Sequence, residues 1–247
     1  MVACKTCGCL YMGDELSGID FDALYGEAYY NGGNDAVFAD YTGQQRARRA
    51  HARRKLLWLR HVPPLIPRRG RLLDVGCAAG FFLAEARTHY EVQGVELSAW
   101  SSAYAREQLK LPVVTGTLQQ AALPAARFDV VTFWDVIEHV AEPVPLLQEA
   151  ARVLVPNGKM VLTTGDWGSV YAQQRGADWH LMTPPWHLTM FDRKSLARAA
   201  AAAGLRVVAW RTEGVAGDGR WWRNRPALGI TRALGMGDIV RLTLAHA

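Results

Sequence analysis

Cysteine is scarce in this 247-residue chain: four in all, three crowded at Cys4, Cys7 and Cys9, with Cys77 alone. So few thiols, so unevenly placed, exclude a disulfide framework. No apolar run approaches the roughly 18 residues that a spanning helix needs. The opening Met-Val-Ala-Cys-Lys lacks the apolar stretch of a signal peptide, so a cytoplasmic location is expected. There is no internal repeat, and the alanine run Ala199 to Ala203 is the one low-complexity tract. A surplus of one charge is also missing, except in one place. The net charge is +5, yet the window Arg46 to His61 holds seven Lys/Arg and no acid. Outside it, 21 basic residues face 23 acidic ones, so nucleic acid is not an expected partner.

What is present is an ordinary globular balance, with 50% hydrophobic, 21% charged and 10% aromatic residues. Such a length allows one large α/β domain with a small appendage. Residues 1–13 read as a small Cys-bearing head, 14–64 as an N-terminal helical lid segment, and 65–247 as the main domain. The Arg-rich window has the composition of a helix ended by Pro63-Pro64. Strands are predicted at Arg71–Val75, Val92–Glu96, Pro112–Thr115, Phe128–Trp134, Lys159–Thr164, Leu205–Arg211 and Asp238–Ala245. Between them lie helices over Gly80–Thr88, Ala99–Leu109, Val144–Leu154 and, capped by Asp192, on to Gly204. This alternation predicts βαβ units, a doubly wound, mostly parallel sheet with both faces covered.

Ligands of such sheets bind beyond the carboxyl ends of the strands. The first strand runs into Asp74-Val-Gly-Cys-Ala-Ala-Gly80, where Gly76 permits a tight turn and Gly80 a close helix approach. Twenty-two residues after Asp74 comes Glu96, placed to accept hydrogen bonds from ribose hydroxyls. A dinucleotide turn, G-x-G-x-x-G, is not matched: Ala78 stands at the middle glycine, Gly80 is one position early, and Asp74 is unfavourable beside a diphosphate. A cationic ligand without phosphate removes both objections. S-adenosylmethionine carries a sulfonium, an ammonium, a ribose and an adenine. The alternatives are a nicotinamide oxidoreductase and a non-catalytic protein that kept the fold.

Leu73-Asp-Val-Gly-Cys-Ala-Ala-Gly-Phe-Phe82, Gly94-Val-Glu-Leu-Ser98, Gly116-Thr-Leu118, Phe128-Asp-Val-Val131, Glu138-His-Val140 and Arg152-Val-Leu-Val-Pro-Asn-Gly158 follow one another in order. The series resembles the motifs of class I S-adenosylmethionine-dependent methyltransferases, in the branch of the ubiquinone-biosynthesis O-methyltransferases and related sugar and natural-product enzymes. The resemblance runs from about Arg71 to Val208 and departs at Ala78 and Asn157, where glycine is usual. It implies a seven-stranded Rossmann-like sheet with an antiparallel last strand. It also implies that Asp74 and the backbone of Gly76, Cys77, Ala78 and Gly80 face the methionine moiety. Glu96 then takes the ribose, with Leu97 beside the adenine and Thr117 and Leu118 at its edge; Phe133, Trp134 and Asp135 lie under the sulfonium.

For a hydroxyl acceptor a histidine suits the task of general base. His139 follows Glu138 after the fourth strand, and His187 lies in Pro184-Pro-Trp-His-Leu-Thr-Met-Phe191; either could instead only order its loop. Asp135, Glu138 and His139 look like the set that binds a divalent ion in some quinone-pathway relatives, but the pair Glu-His also occurs in relatives without metal, and none is expected here. Cys4, Cys7 and Cys9 resemble the second half of a zinc ribbon that precedes some members. Structural zinc usually takes four ligands, so a degenerate, dispensable head is expected. Tyr25, Tyr29, Tyr30 and Tyr41 fall where relatives have a lid. Trp167, Trp179 and Trp186 mark a region of substrate selectivity or core packing. The acceptor is expected to be a small molecule. The basic helix is a solvated face, or it meets a phosphate-bearing acceptor, a carrier protein or an anionic membrane surface.

Overall fold

The computed structural model describes residues 1–13, 20, 24–30, 40–61, 67–214 and 237–247. Contacts divide the chain into two compact units. One comprises residues 19–134 and 152–160; the other comprises 1–18, 135–151 and 161–247.

The first unit is built on β3 (Arg71–Val75), β4 (Glu91–Glu96), β5 (Val113–Thr115) and β6 (Phe128–Trp134). Leu72, Leu73, Val75, Val130, Val131 and Phe133 are all buried, as expected of parallel strands covered on both faces. Register sets the polar positions. Asp74 lies opposite Gly94 of β4 on one side and Thr132 of β6 on the other. After β3 the chain turns through Gly76 (φ 68) and Gly80 (φ 79) into α3 (Phe81–Ala86). Gly80 caps that helix in the left-handed conformation, so the helix starts one residue later than predicted. A Cβ there would lie 2.6 Å from Leu111 Cδ1. Ser98 caps α4 (Ala99–Glu107) by accepting a hydrogen bond from the Ser101 amide. The Arg-rich window is indeed a helix, α2 (Gln45–His61), preceded by the short α1 (Glu27–Tyr30); Pro63 and Pro64 lie outside the described residues.

The second unit holds α5 (Pro143–Val153) up to Ala151, then α6 (Val170–Arg175), β8 (Thr189–Met190) and α7 (Arg193–Ala202). It ends with β9 (Leu205–Glu213) and β10 (Ile239–His246), which pair antiparallel. Asp192 caps α7 as predicted, its side chain and that of Ser195 exchanging hydrogen bonds with each other's amides. β7 (Leu154–Gly165) is longer than predicted, because the chain turns extended directly at the end of α5, through Pro156 and Asn157. The seven strands form one sheet in the order β5-β4-β3-β6-β7-β10-β9. This is the predicted seven-stranded, mostly parallel sheet. The head contributes β1 (Val2–Ala3) and β2 (Leu10–Tyr11) to a separate three-stranded sheet with β8. Trp179 is a core residue of this unit, packed with Ala172 and Met190, and its indole N–H donates to buried Asp238 at 3.1 Å.

Candidate functional site

The turn after β3 and the ends of β4 and β5 gather most of the residues singled out from the sequence. Glu96 ends β4, fully inside the protein. Its two carboxylate oxygens accept the Ala78 amide at 2.8 Å and the Ser98 amide at 2.9 Å. Burial raises its pKa, and these amides hold the charged form against that cost, with the Ser101 and Tyr30 hydroxyls beside them. Asp74 is 2% exposed and accepts a 2.6 Å hydrogen bond from the Thr132 hydroxyl. Burial pushes its carboxyl up to about 7; Thr132 and the Lys55 ammonium oppose the shift, and Glu96 adds to it. Ala78 stands at φ 48, a left-handed conformation that an L-residue adopts at a cost of roughly 1 kcal/mol. A Cβ on Gly94 would lie 2.6 Å from Cys77 Sγ, so the glycine makes room for the turn.

Beside this turn is a cavity of about 570 Å³, lined among others by Leu97, Ser98, Trp100, Thr117 and Tyr25. Leu97 and Thr117 therefore reach it; Leu118 is buried in the core. Tyr30 stacks on Trp100, centroids 5.4 Å apart, and Tyr41 on Phe81 at 5.9 Å. Phe133 is buried, and Trp134 packs against Phe82 with the Lys55 ammonium 4.9 Å from its ring. Two buried carboxylates on neighbouring strands, one raised by burial to about 7, suit a ligand that brings positive charge and a diol. S-adenosylmethionine fits these residues: Asp74 would receive the ammonium and Glu96 the ribose. Thr132 was missed from the sequence, although a threonine inside Phe128-Asp-Val-Val-Thr-Phe-Trp134 is the one hydroxyl in an otherwise buried strand.

The other unit holds a second cluster. Asp135, placed under the sulfonium by resemblance, is exposed, stands at φ 60, and accepts a 2.7 Å hydrogen bond from the Thr163 hydroxyl. It is not among the ligand atoms that converge here. Those are Glu138, His139 and His187, within 4.8 Å of one another, so His187 takes the place expected for Asp135. The imidazoles meet edge to face with centroids 4.6 Å apart. His139 Nδ1 lies 2.8 Å from the Trp186 carbonyl, and His187 Nδ1 lies 2.6 Å from that of Leu181. A carbonyl only accepts, so each Nδ1 carries the hydrogen and each Nε2 keeps its lone pair. Burial lowers the His139 pKa to about 4, with the neighbouring His187 adding to the effect. Burial lowers that of His187 as well, opposed by the Leu181 carbonyl and Asp135. The Leu188 amide donates to the Glu138 carbonyl at 2.8 Å, tying the two segments together.

On the basic helix, Arg49 and Arg53 both donate to Glu85, at 2.6 and 2.8 Å, and lower its pKa against the effect of burial. Arg46 and Arg54 are exposed. Leu56 and Leu59 are buried, whereas Leu57 is 52% exposed. In the head, amide hydrogen bonds from Cys7 and Thr6 bring the Cys4 pKa down to about 7, and burial raises that of Cys9 to about 12.

Residues 43–209 match the family model described as a methyltransferase domain. The chain is 38% identical over 102 residues to a ubiquinone biosynthesis O-methyltransferase of a Caulobacter species, a match covering 38% of this chain and 40% of that protein. It is 30% identical over 154 residues to the protein of the same name from Rhodopseudomonas palustris, covering 55% and 61%. These matches thus span less than two thirds of those relatives. Among solved structures, it resembles geranyl diphosphate C-methyltransferase from Streptomyces coelicolor in complex with Mg²⁺, geranyl diphosphate and S-adenosyl-L-homocysteine. That likeness has a TM-score of 0.58 and 16% identity, over 87% of this chain and 88% of that one. The chain belongs to the methyltransferase domain family, and with it to the class I proteins whose cofactor is S-adenosyl-L-methionine.

Proposed function

We propose that the protein transfers a methyl group from S-adenosylmethionine to a hydroxyl oxygen of a small molecule, with His187 as the general base. The observation that carries the reading is the paired imidazoles, each fixed by Nδ1–H to a backbone carbonyl, an arrangement in which the His187 Nε2 carries the lone pair that accepts a proton. A base works best when its pKa lies near the working pH. His139, held at about 4, is the weaker proton acceptor, which favours His187. The cofactor supplies an electrophilic methyl group when bound. Asp74 and Glu96 hold it by ammonium and ribose, and Tyr25 and Trp100 line the cavity assigned to the adenosine. In this reading residues 14–64 are the lid, the head precedes it, and 65–247 carry the chemistry. The names of the relatives support oxygen as the acceptor atom. The absence, among the described residues, of a helix long and apolar enough to cross a membrane is consistent with a cytoplasmic enzyme. The exposed Arg46 and Arg54 favour a phosphate-bearing or carrier-bound acceptor. The nicotinamide alternative is not favoured, because Asp74 stands where a diphosphate would bind.

The test is transfer of an isotopically labelled methyl group to a panel of phenolic, sugar and amine acceptors. With an active acceptor, His187→Ala should lower turnover about 10²-fold, while S-adenosylhomocysteine binds as before. If His139→Ala abolishes turnover and His187→Ala is neutral, the base is His139. If only carbon or nitrogen acceptors turn over, the hydroxyl assignment is wrong.

A further inference from the structure

The three thiols of the head take no part in the reading above. Their sulfurs lie within 4.8 Å of one another, and Cys7 Sγ is 3.2 Å from Cys9 Sγ. Gly8 at φ 84 makes the turn that gathers them, donating its amide to the Cys4 carbonyl at 2.9 Å. The Cys4 amide in turn donates to the Cys9 carbonyl at 2.8 Å. Packing does not explain the convergence, because Cys4 and Cys7 are only half-buried.

The same hairpin is joined to the segment that follows His187. Leu10 pairs with Met190 and Tyr11 with Thr189. The Met12 amide donates to the Leu188 carbonyl at 3.1 Å, and the Arg198 guanidinium to the Cys7 carbonyl at 2.9 Å. We propose that Cys4, Cys7 and Cys9 form a three-thiolate site for Zn²⁺, and that the bound ion pins β2 to β8 next to His187. An all-sulfur donor set selects a thiophilic ion over Mg²⁺ or Ca²⁺. Tetrahedral zinc, with Zn–S near 2.3 Å, places its sulfurs about 3.8 Å apart, which these three reach with small shifts. The fourth position is open to water or to a ligand from outside the cluster. Three cysteines spaced C-x-x-C-x-C are thus a working site rather than a degenerate one. The inference does not depend on His187 being the base.

The test uses the full chain loaded with Zn²⁺, dialysed, and assayed for metal, with Co²⁺ substitution as a second probe. One ion per chain and a thiolate-to-cobalt charge-transfer band are expected. Cys4→Ser, Cys7→Ser and Cys9→Ser should each abolish stoichiometric retention. Removing the metal with a chelator should speed hydrogen exchange at the Met12 amide at least tenfold. The cobalt spectrum and the exchange rate need no variant, so a variant that fails to fold does not blunt the test. S-adenosylhomocysteine affinity, measured alongside, keeps failure here separate from failure of the cofactor site. A chain that retains no metal overturns the proposal. So does a Cys7–Cys9 disulfide formed in the presence of zinc, which would make the cluster a redox pair.

Discussion

If Asp74 receives the cofactor ammonium as proposed, the energetics of this one side chain set how the site behaves with pH. Its carboxyl is raised from 3.8 to about 7 by burial, despite Thr132 and Lys55. A carboxyl raised on folding is stabilising while protonated, so its contribution is complete below pH 4 and is lost as the pH climbs through 7. The bound ammonium needs the opposite, the ionised form. We therefore expect the affinity for S-adenosylhomocysteine to fall about tenfold per pH unit below 7, with proton release on binding near pH 7. Calorimetry in buffers of different ionisation heat measures both. Asp74→Asn should bind weakly at every pH and remove the slope; a flat profile in the unsubstituted protein would detach Asp74 from the ligand. From the sequence, the Asp74–Glu96 pair was visible through its spacing alone. The Thr132 bond was not, because it depends on the β3–β6 register. Nor was the separation of Asp135 from the histidines, since that turns on a local bond to Thr163 and on where His187, far along the chain, comes to rest.

Among the elements, the β3 turn and β4 share one tight contact. A methyl group on Gly94 would meet Cys77 Sγ at 2.6 Å, Leu83 Cδ1 at 2.7 Å and Val113 Cγ2 at 3.0 Å. None of these is a flexible surface tip. Gly94→Ala should cost roughly 1–3 kcal/mol by overpacking and weaken cofactor binding by displacing Cys77. Denaturant melts read the first effect and calorimetry the second. Adding Cys77→Ala removes the clashing sulfur, so the double variant should be less destabilised than the two single costs summed; strict additivity would refute the contact. Most strands and helices were legible because burial on both faces writes continuous apolar runs. Two of the boundaries that moved, at Gly80 and at Leu154, were set by a left-handed cap and by sheet pairing, neither of which apolar periodicity reports. The basic helix shows the same limit: the sequence displays a cationic face, and only the packing shows that Arg49 and Arg53 are spent on Glu85.

For the whole molecule, ligand and fold are linked. S-adenosylhomocysteine at a hundredfold its Kd should stabilise the protein by about 2.7 kcal/mol and raise the Tm by a few degrees. NADH at the same concentration should do nothing; the reverse result would move the chain to the oxidoreductase class. The sequence by itself determined the β3–β4 half of the proposed cofactor site. The glycines, Asp74 and Glu96 sit within one βαβ unit, where chain order and strand period leave little freedom. It did not determine the second cluster or the thiol site's connection. Glu138 and His187 are 49 residues apart, and Leu10 is 180 residues from Met190. Those pairs meet only through long-range sheet pairing and loop packing, whose geometry depends on the buried surface of the entire chain. Which histidine faces which carbonyl, and which strand the cysteine head holds, were therefore decided by the tertiary structure alone.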